Sequence, residues 1–321
     1  MGKLKFGFYW AASCGGCEVA VLDIDEKILR VMEVADIVFW PVAMDVKYSD
    51  VEAMAAGYMD VCFFNGAIRN SEQEKLAKLL RGKAKTLVAF GACAQLGGIP
   101  GLANEADAAE VFDRAYHSSP STPDSATEPT PEATVPEGTL ETPVFYDYVK
   151  PLDRVITVDY YLPGCPPPAK LVYEAVEAIA SGKLPPRGSI LAPETAVCDE
   201  CPRKKEEKKV AEIKRVITST PEPEKCLLEQ GFICMGPATR GGCDAKCLSA
   251  NMPCTGCGGP CPNAKEQGAA MISALSTVLG ISEEKGEAYD AEKLAAQIKD
   301  PLGTFYKYAL PASIIWRRAR K

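Results

Sequence analysis

The residues of this chain that could do chemistry are its cysteines. Fourteen are present, and nine crowd into the stretch from Cys198 to Cys261: the run CDEC, then Cys226 and Cys234, then Cys243, Cys247, Cys254, Cys257 and Cys261. Thiolates are soft ligands, and such density suits iron–sulfur clusters or structural zinc. A stretch with few long apolar runs cannot build a large core of its own, so metal bonds are expected to hold it together. The one histidine, His117, stands just before a low-complexity segment and reads as a solvated surface residue, which leaves ligation to sulfur. A disulfide-rich exported protein is the rival. Against it, the opening MGKLKFGFYW is too short for a secretion signal, and CxxC pairs close rings too small for easy bridging. Reduced, metal-bound thiols in a cytoplasmic chain are the expectation.

Four further cysteines depend on the elements that carry them. Residues 3–10 (KLKFGFYW) read as a buried first strand, followed by the turn AASCGGCE. Residues 18–34 show helical spacing, with Val21, Ile24, Ile28, Leu29 and Met32 on one face. The apolar runs 37–44, 60–68, 86–94 and 155–165 read as strands covered on both faces. Asn70 and Ser71 can cap a helix running to about Leu80, with Glu74 placed for a capping box to Ser71. A helix follows from about Pro168, with Gly182 as its stop. Strands alternating with helices predict an open, mostly parallel α/β sheet. Cys14 and Cys17 then follow strand one, Cys93 follows the TLVAF strand and Cys165 the VITVDYYL strand. Loops beyond the carboxyl ends of parallel strands gather on one edge, so these four thiols are expected to meet. Glycine and proline flank each of them, which lets backbone N–H groups approach cluster sulfides. Cys62, inside a strand, reads as a small core hydrophobe.

Composition bounds the rest. A net charge of −7 argues against a nucleic-acid surface, and no apolar stretch approaches the length that spans a bilayer. The chain divides into residues 1–185, the α/β domain, and 186–321, a small cysteine-rich domain with little regular structure. Residues 118–143, rich in Pro, Ser, Thr and Glu, read as an exposed, flexible insertion without chemistry.

Taken together, SCGGCE, GACAQLGGIPG and LPGCPPP resemble the proximal-cluster motifs in the small subunit of [NiFe] hydrogenases, which sit on a flavodoxin-like domain. CDECPR, CLLEQGFICMGPAT and PCTGC follow in the same order as in that family. The resemblance covers nearly the whole chain outside 118–143. It is strongest to the cytoplasmic methyl-viologen-reducing, F420-non-reducing type, on QGFICMGPAT and the ending GTFYKYALPASII. The F420-reducing gamma subunit and the sulfhydrogenase delta subunit are close cousins.

The resemblance implies three [4Fe–4S] clusters. Cys14, Cys17, Cys93 and Cys165 would hold the proximal one, and Cys198, Cys201, Cys226 and Cys234 the distal one. Periplasmic and membrane-bound members place a histidine where this chain has Cys198. Cys243, Cys247, Cys254 and Cys257 would hold the medial cluster, although five cysteines compete for those four places. Cys261 could replace one; the tighter Cys254-x-x-Cys257 pair favours Cys261 as the spare. The resemblance also implies a [NiFe] large subunit as partner, carrying the Ni–Fe centre. Downstream it implies a small [2Fe–2S] acceptor subunit joined to flavin- and iron–sulfur-containing heterodisulfide reductase.

Glu18, directly after Cys17, has two readings: a proton relay toward the partner's site, or an ordinary helix-start carboxylate, the commoner case. Arg203-Lys204-Lys205, Lys208-Lys209 and the terminal run from Arg317 to Lys321 read as solvated surface, and Phe305 to Trp316 as a docking segment. One rival is the cluster-bearing subunit of a respiratory complex, which shares the first domain. It is expected to carry adjacent cysteines in the first motif, and here Gly15 and Gly16 separate them. A structural zinc protein is the rival of another class.

Overall fold

The computed structural model describes all residues except 1, 124–126, 207–209, 211, 280–292, 294 and 319–321. In chain order, β1 (Leu4–Trp10) leads into α1 (Gly16–Leu22) and α2 (Ile28–Val34), then β2 (Ala35–Phe39) and α3 (Tyr48–Ala53). Next come β3 (Met59–Asn65), β4 (Ile68–Asn70), α4 (Ser71–Lys83), β5 (Ala84–Phe90), α5 (Ala92–Leu96) and α6 (Ala108–Tyr116). A hairpin β6 (Glu132–Val135) and β7 (Gly138–Glu141) precedes β8 (Phe145–Lys150), β9 (Tyr160–Leu162) and α7 (Ala169–Ala180). The main sheet has the order β2-β1-β3-β5-β9. All its pairings are parallel, which is the flavodoxin-like order.

The expected runs at 60–68 and 86–94 form strands buried on both faces, whereas 37–44 and 155–165 yield only the edge strands β2, which is partly exposed, and β9, three residues long. Successive residues alternate between two apolar layers. Phe63, Val88, Phe90 and Leu162 face α1, α2 and α7, while Phe64, Leu87 and Ala89 face α3 and α4. Asp159, 2% exposed, ties the entrance of β9 to β5. It accepts from Leu87 N at 2.8 Å and Arg81 Nη1 at 2.6 Å.

Several local expectations are corrected. The segment 18–34 is two helices, with a positive φ of 55° at Asp25 between them. Val21, Ile24 and Val31 turn inward, whereas Leu29 and Met32 are 66% and 50% exposed. The cap of α4 lies one residue earlier than expected: Gln73 N donates to Asn70 Oδ1 at 2.9 Å, and Gln73 Oε1 accepts from the Asn70 N–H. The described part of 118–143 is exposed, but it folds back on itself as the β6–β7 hairpin.

Beyond α7 the chain makes short turns and helices, the longest described one being Gln267–Val278. Its apolar cluster (Val197, Leu227, Phe232, Met235, Leu248, Met271 and Phe305) includes Cys234 and Cys254. The ending docks on this same chain. Pro311 sits against Gly97 and Gly101, where any Cβ would collide with it. Gly98 N donates to Tyr308 O at 3.0 Å, and Asn104 Nδ2 to Trp316 O at 2.9 Å. The terminal basic run is likewise held: Arg318 pairs with Glu110, and Arg317 lies over the rings of Tyr148 and Trp316. Lys208, Lys209, Arg320 and Lys321 lie outside the described residues. Among the described residues no helix is long and apolar enough to cross a membrane.

Candidate metal centres

Cys14, Cys17, Cys93 and Cys165 converge beyond the carboxyl ends of β1, β5 and β9. Cys17 opens α1 and Cys93 opens α5, so each sulfur sits where a strand turns into a helix. Burial raises the Cys17 thiol, and the neighbouring Cys93, Cys165 and Cys14 raise it further. Cys93 is pushed up to about 12, by burial first and then by Cys165 and Cys14, against a backbone N–H from Ile99. Cys165 is raised by burial and then by Cys14, so the four thiols lie together. Glycine shapes their cradle: a Cβ on Gly91 (φ 87°) would collide with the Cys17 sulfur, and one on Gly98 (φ 57°) with Cys93. Cys14 is the exposed member.

A second group forms around the short helix Val197–Glu200. Cys198 is pushed up to about 12, chiefly by burial, with Lys205 opposing and Cys234, Cys201 and Cys226 adding to the rise. A Cβ on Gly236 would lie 3.1 Å from Cys198 Sγ and 3.6 Å from Cys234 Sγ, so these two sulfurs flank one bare backbone position.

The third group lines a cavity of about 540 Å³ that contains Cys243, Cys247, Cys254 and Cys257 together with Gly164, Pro166 and Pro167. The last three belong to the loop that carries Cys165. Cys257 is pushed up to about 11, by burial above all. The nearby Cys165 backbone N–H opposes the rise, to which Cys243 and Cys247 add. Burial raises Cys234, in the second group, against the nearby backbone N–H groups of Gly236 and Cys254. The three groups therefore adjoin in series: the Cys165 loop lines the cavity of the third group, and Met235 N, next to Cys234, donates to Cys254 O at 2.9 Å. Cys261 stands aside, its Sγ 3.6 Å from the carbonyl oxygen of Pro237.

The donor sets fit iron–sulfur clusters better than single ions. A structural zinc site closes tetrahedrally on one point and leaves no void. Among the described residues no three His, Cys, Asp or Glu groups close on a single ion, and the third group surrounds a cavity. Backbone N–H groups aimed at the sulfurs are what cluster ligation uses. Thiols raised this far keep their protons until a metal displaces them.

Three residues beside the proximal group, and Arg203 beyond it, add to or correct the sequence reading. Glu18 stands in the first turn of α1 as a helix-start carboxylate, but it is 5% exposed. Trp40 Nε1 donates to its Oε2, Asn65 lies beside it, and Oε1 has no hydrogen-bond partner among the described residues. Burial raises its pKa against both neighbours. Trp40 and Asn65 were not singled out, although Asn65, a polar residue closing the apolar run of β3 at the sheet's carboxyl edge, is the kind of signal that marks such a site. Arg203, expected on the surface with Lys204 and Lys205, is 8% exposed, while those two lysines do face solvent.

The family described as NADH ubiquinone oxidoreductase, 20 Kd subunit, matches residues 14–179, the stretch that holds every strand of the main sheet except β1, and the four cysteines at its edge. The chain is 42% identical to the iron-sulfur subunit of the F420-non-reducing hydrogenase of Archaeoglobus profundus, over 99% of both chains. It is 41% identical to the corresponding F420-non-reducing hydrogenase subunit of Methanothermobacter thermautotrophicus, over 99% of this chain and 98% of that one. Among solved structures it resembles an NAD+-reducing [NiFe]-hydrogenase in the H2-reduced state. The TM-score is 0.50 at 27% identity, covering 57% of this chain and 94% of that one. The [NiFeSe] hydrogenase of Desulfovibrio vulgaris Hildenborough shares the fold over 82% of this chain and 95% of its own, at 17% identity and a TM-score of 0.50. The full-length matches set aside the respiratory-complex reading, which accounts only for the first part. The chain belongs to the family of F420-non-reducing hydrogenase iron–sulfur subunits, the small subunits of [NiFe] hydrogenases.

Proposed function

We propose that this chain conducts electrons from H2 oxidation at a Ni–Fe centre on a large subunit, through three [4Fe–4S] clusters, to an iron–sulfur and flavin acceptor. Cys14, Cys17, Cys93 and Cys165 hold the proximal cluster in this reading. Cys243, Cys247, Cys254 and Cys257 hold the medial one, and Cys198, Cys201, Cys226 and Cys234 the distal one. Bound there, the clusters supply one-electron carriers. The observation that carries the reading is the serial adjacency: the loop of a proximal ligand lines the cavity of the medial group, and the backbone next to a distal ligand bonds that of a medial one.

The large subunit would cover the proximal edge. Cys14 is open there, and Trp10, Val19, Leu22 and Ile99, all on segments carrying the proximal cysteines, are 42%, 56%, 59% and 45% exposed. Their burial against a partner would exclude water from the transfer step. The acceptor belongs at the distal end, beside the exposed Lys204 and Lys205, and a small [2Fe–2S] protein leading to heterodisulfide reductase fits that place. Cys261 is left as a thiol.

Iron and acid-labile sulfide on anaerobically purified protein test this, with an electron paramagnetic resonance spectrum of the reduced form. About twelve irons per chain with interacting four-iron signals are expected. Zinc with little iron would overturn the reading and leave a metal-stabilised binding protein. About four irons would remove the second region from electron transfer.

The burial of Glu18 favours a second role at the proximal end, a proton relay beside the partner's site. Glu18→Gln in the assembled complex should slow H2 oxidation by about a hundredfold with cluster spectra unchanged. An unaltered rate would leave Glu18 as a packing group.

A further inference from the structure

We infer that Arg203 is a positioning residue that locks the distal and medial metal sites to each other and sets a positive charge beside them. Its guanidinium is buried and joins three segments, each carrying a different ligand. It lies two residues after Cys201. Nη1 donates to Glu222 O at 2.9 Å and to Lys225 O at 3.0 Å, the carbonyl just before Cys226. Nε and Nη2 donate to Leu248 O at 3.1 and 2.9 Å, next to Cys247, and Nη2 also reaches Asn251 Oδ1 at 2.6 Å.

The neighbouring backbone tightens the same knot. Lys204 N donates to Glu224 O, Cys226 N to Lys204 O and Met252 N to Cys247 O, each at 2.8 Å. Asn251, held at a φ of 60°, sends its own amide to Pro221 O at 3.0 Å. Only a planar fork with several donors serves so many acceptors at once, and lysine cannot copy it.

Among the described residues no carboxylate lies within ion-pair distance of this guanidinium, so carbonyl dipoles alone surround the charge. A buried cation without a counter-ion is costly. Thiolate quartets loaded with metal on both sides would complement it, and reduction, which adds negative charge, would be eased.

The inference rests on the proposed cluster assignment, so the wild-type complex is titrated first by potentiometric electron paramagnetic resonance. If it shows no medial and distal signals, the assignment fails rather than the role of Arg203. With those signals present, Arg203→Gln should lower the midpoint potentials of both while leaving the proximal cluster in place. Arg203→Lys keeps the charge and loses the fork. It should largely restore the potentials but alter the spin–spin splitting between medial and distal clusters. Lys204→Gln, the same charge change at a solvent-facing neighbour, should alter neither. Loss of iron from both C-terminal sites with the proximal one retained is the same result in stronger form. Wild-type potentials and splittings in both Arg203 variants would overturn the proposal, as would loss of all three clusters, which marks general collapse.

Discussion

The sheet region and the C-terminal region present cysteines in opposite ways. Around the sheet, strand and helix side chains make up the apolar layers on either side of β3 and β5, and among the proximal thiols Cys17 alone joins them, at their rim. Beyond α7 the ligands belong to the core: Cys234 and Cys254 are members of its apolar cluster, and Cys201, Cys226 and Cys243 pack against it. The first region positions a metal site by folding. On the proposed ligand assignment the second would fold by closing on its metal, so that metal binding there is folding free energy. A conductor needs both, a rigid rim to press on a partner and a compact relay behind it.

The largest expected effect follows from that contrast. Stripping iron anaerobically should abolish hydrogen-exchange protection around Phe232, Leu248 and Met271 while β3 and β5 stay protected. Simultaneous loss in both regions would break the comparison. Glycine substitutions sharpen it next. Gly91→Ala should cost the proximal cluster alone, and Gly236→Ala the distal one, each leaving about eight of about twelve irons. Retention of full iron in either variant would mean the cradle is roomier than the structure has it. Leu162→Ala, at a fully buried position of the sheet, should lose about 2–5 kcal/mol in denaturant unfolding of the iron-free chain. Phe232→Ala should leave that transition unmoved. The smallest effect belongs to Cys261→Ser, which should keep all the iron and the wild-type spectra; a lost medial signal would return Cys261 to the ligand set.

Local pattern made much of the sheet legible. Buried strands are continuous apolar runs, and those at 60–68 and 86–94 correspond to β3 and β5, each ending a few residues before its apolar run does. The loops after β1, β5 and β9 then had to share one edge. Boundaries were less legible because they depend on single backbone angles. The left-handed turn at Asp25 splits an otherwise helical spacing, and the α4 box chose Asn70 and Gln73 over Ser71 and Glu74, two polar pairs one residue apart.

What the sequence determined by itself is therefore the chemistry: the thiol count, the CxxC spacings, the small residues beside them and the alternation that builds a parallel sheet. These are local properties, written within a few residues of each position. Only the tertiary structure decided which buried groups serve the sites. Arg203 and Lys204 look alike in sequence, yet one is enclosed by carbonyls up to 45 residues away and the other is 79% exposed along its side chain. Glu18 is drawn inward by Trp40, 22 residues on. The C-terminal segment is fastened to Asn104, 212 residues before Trp316. Such partners meet only once the chain has closed, and no nearby residue encodes them.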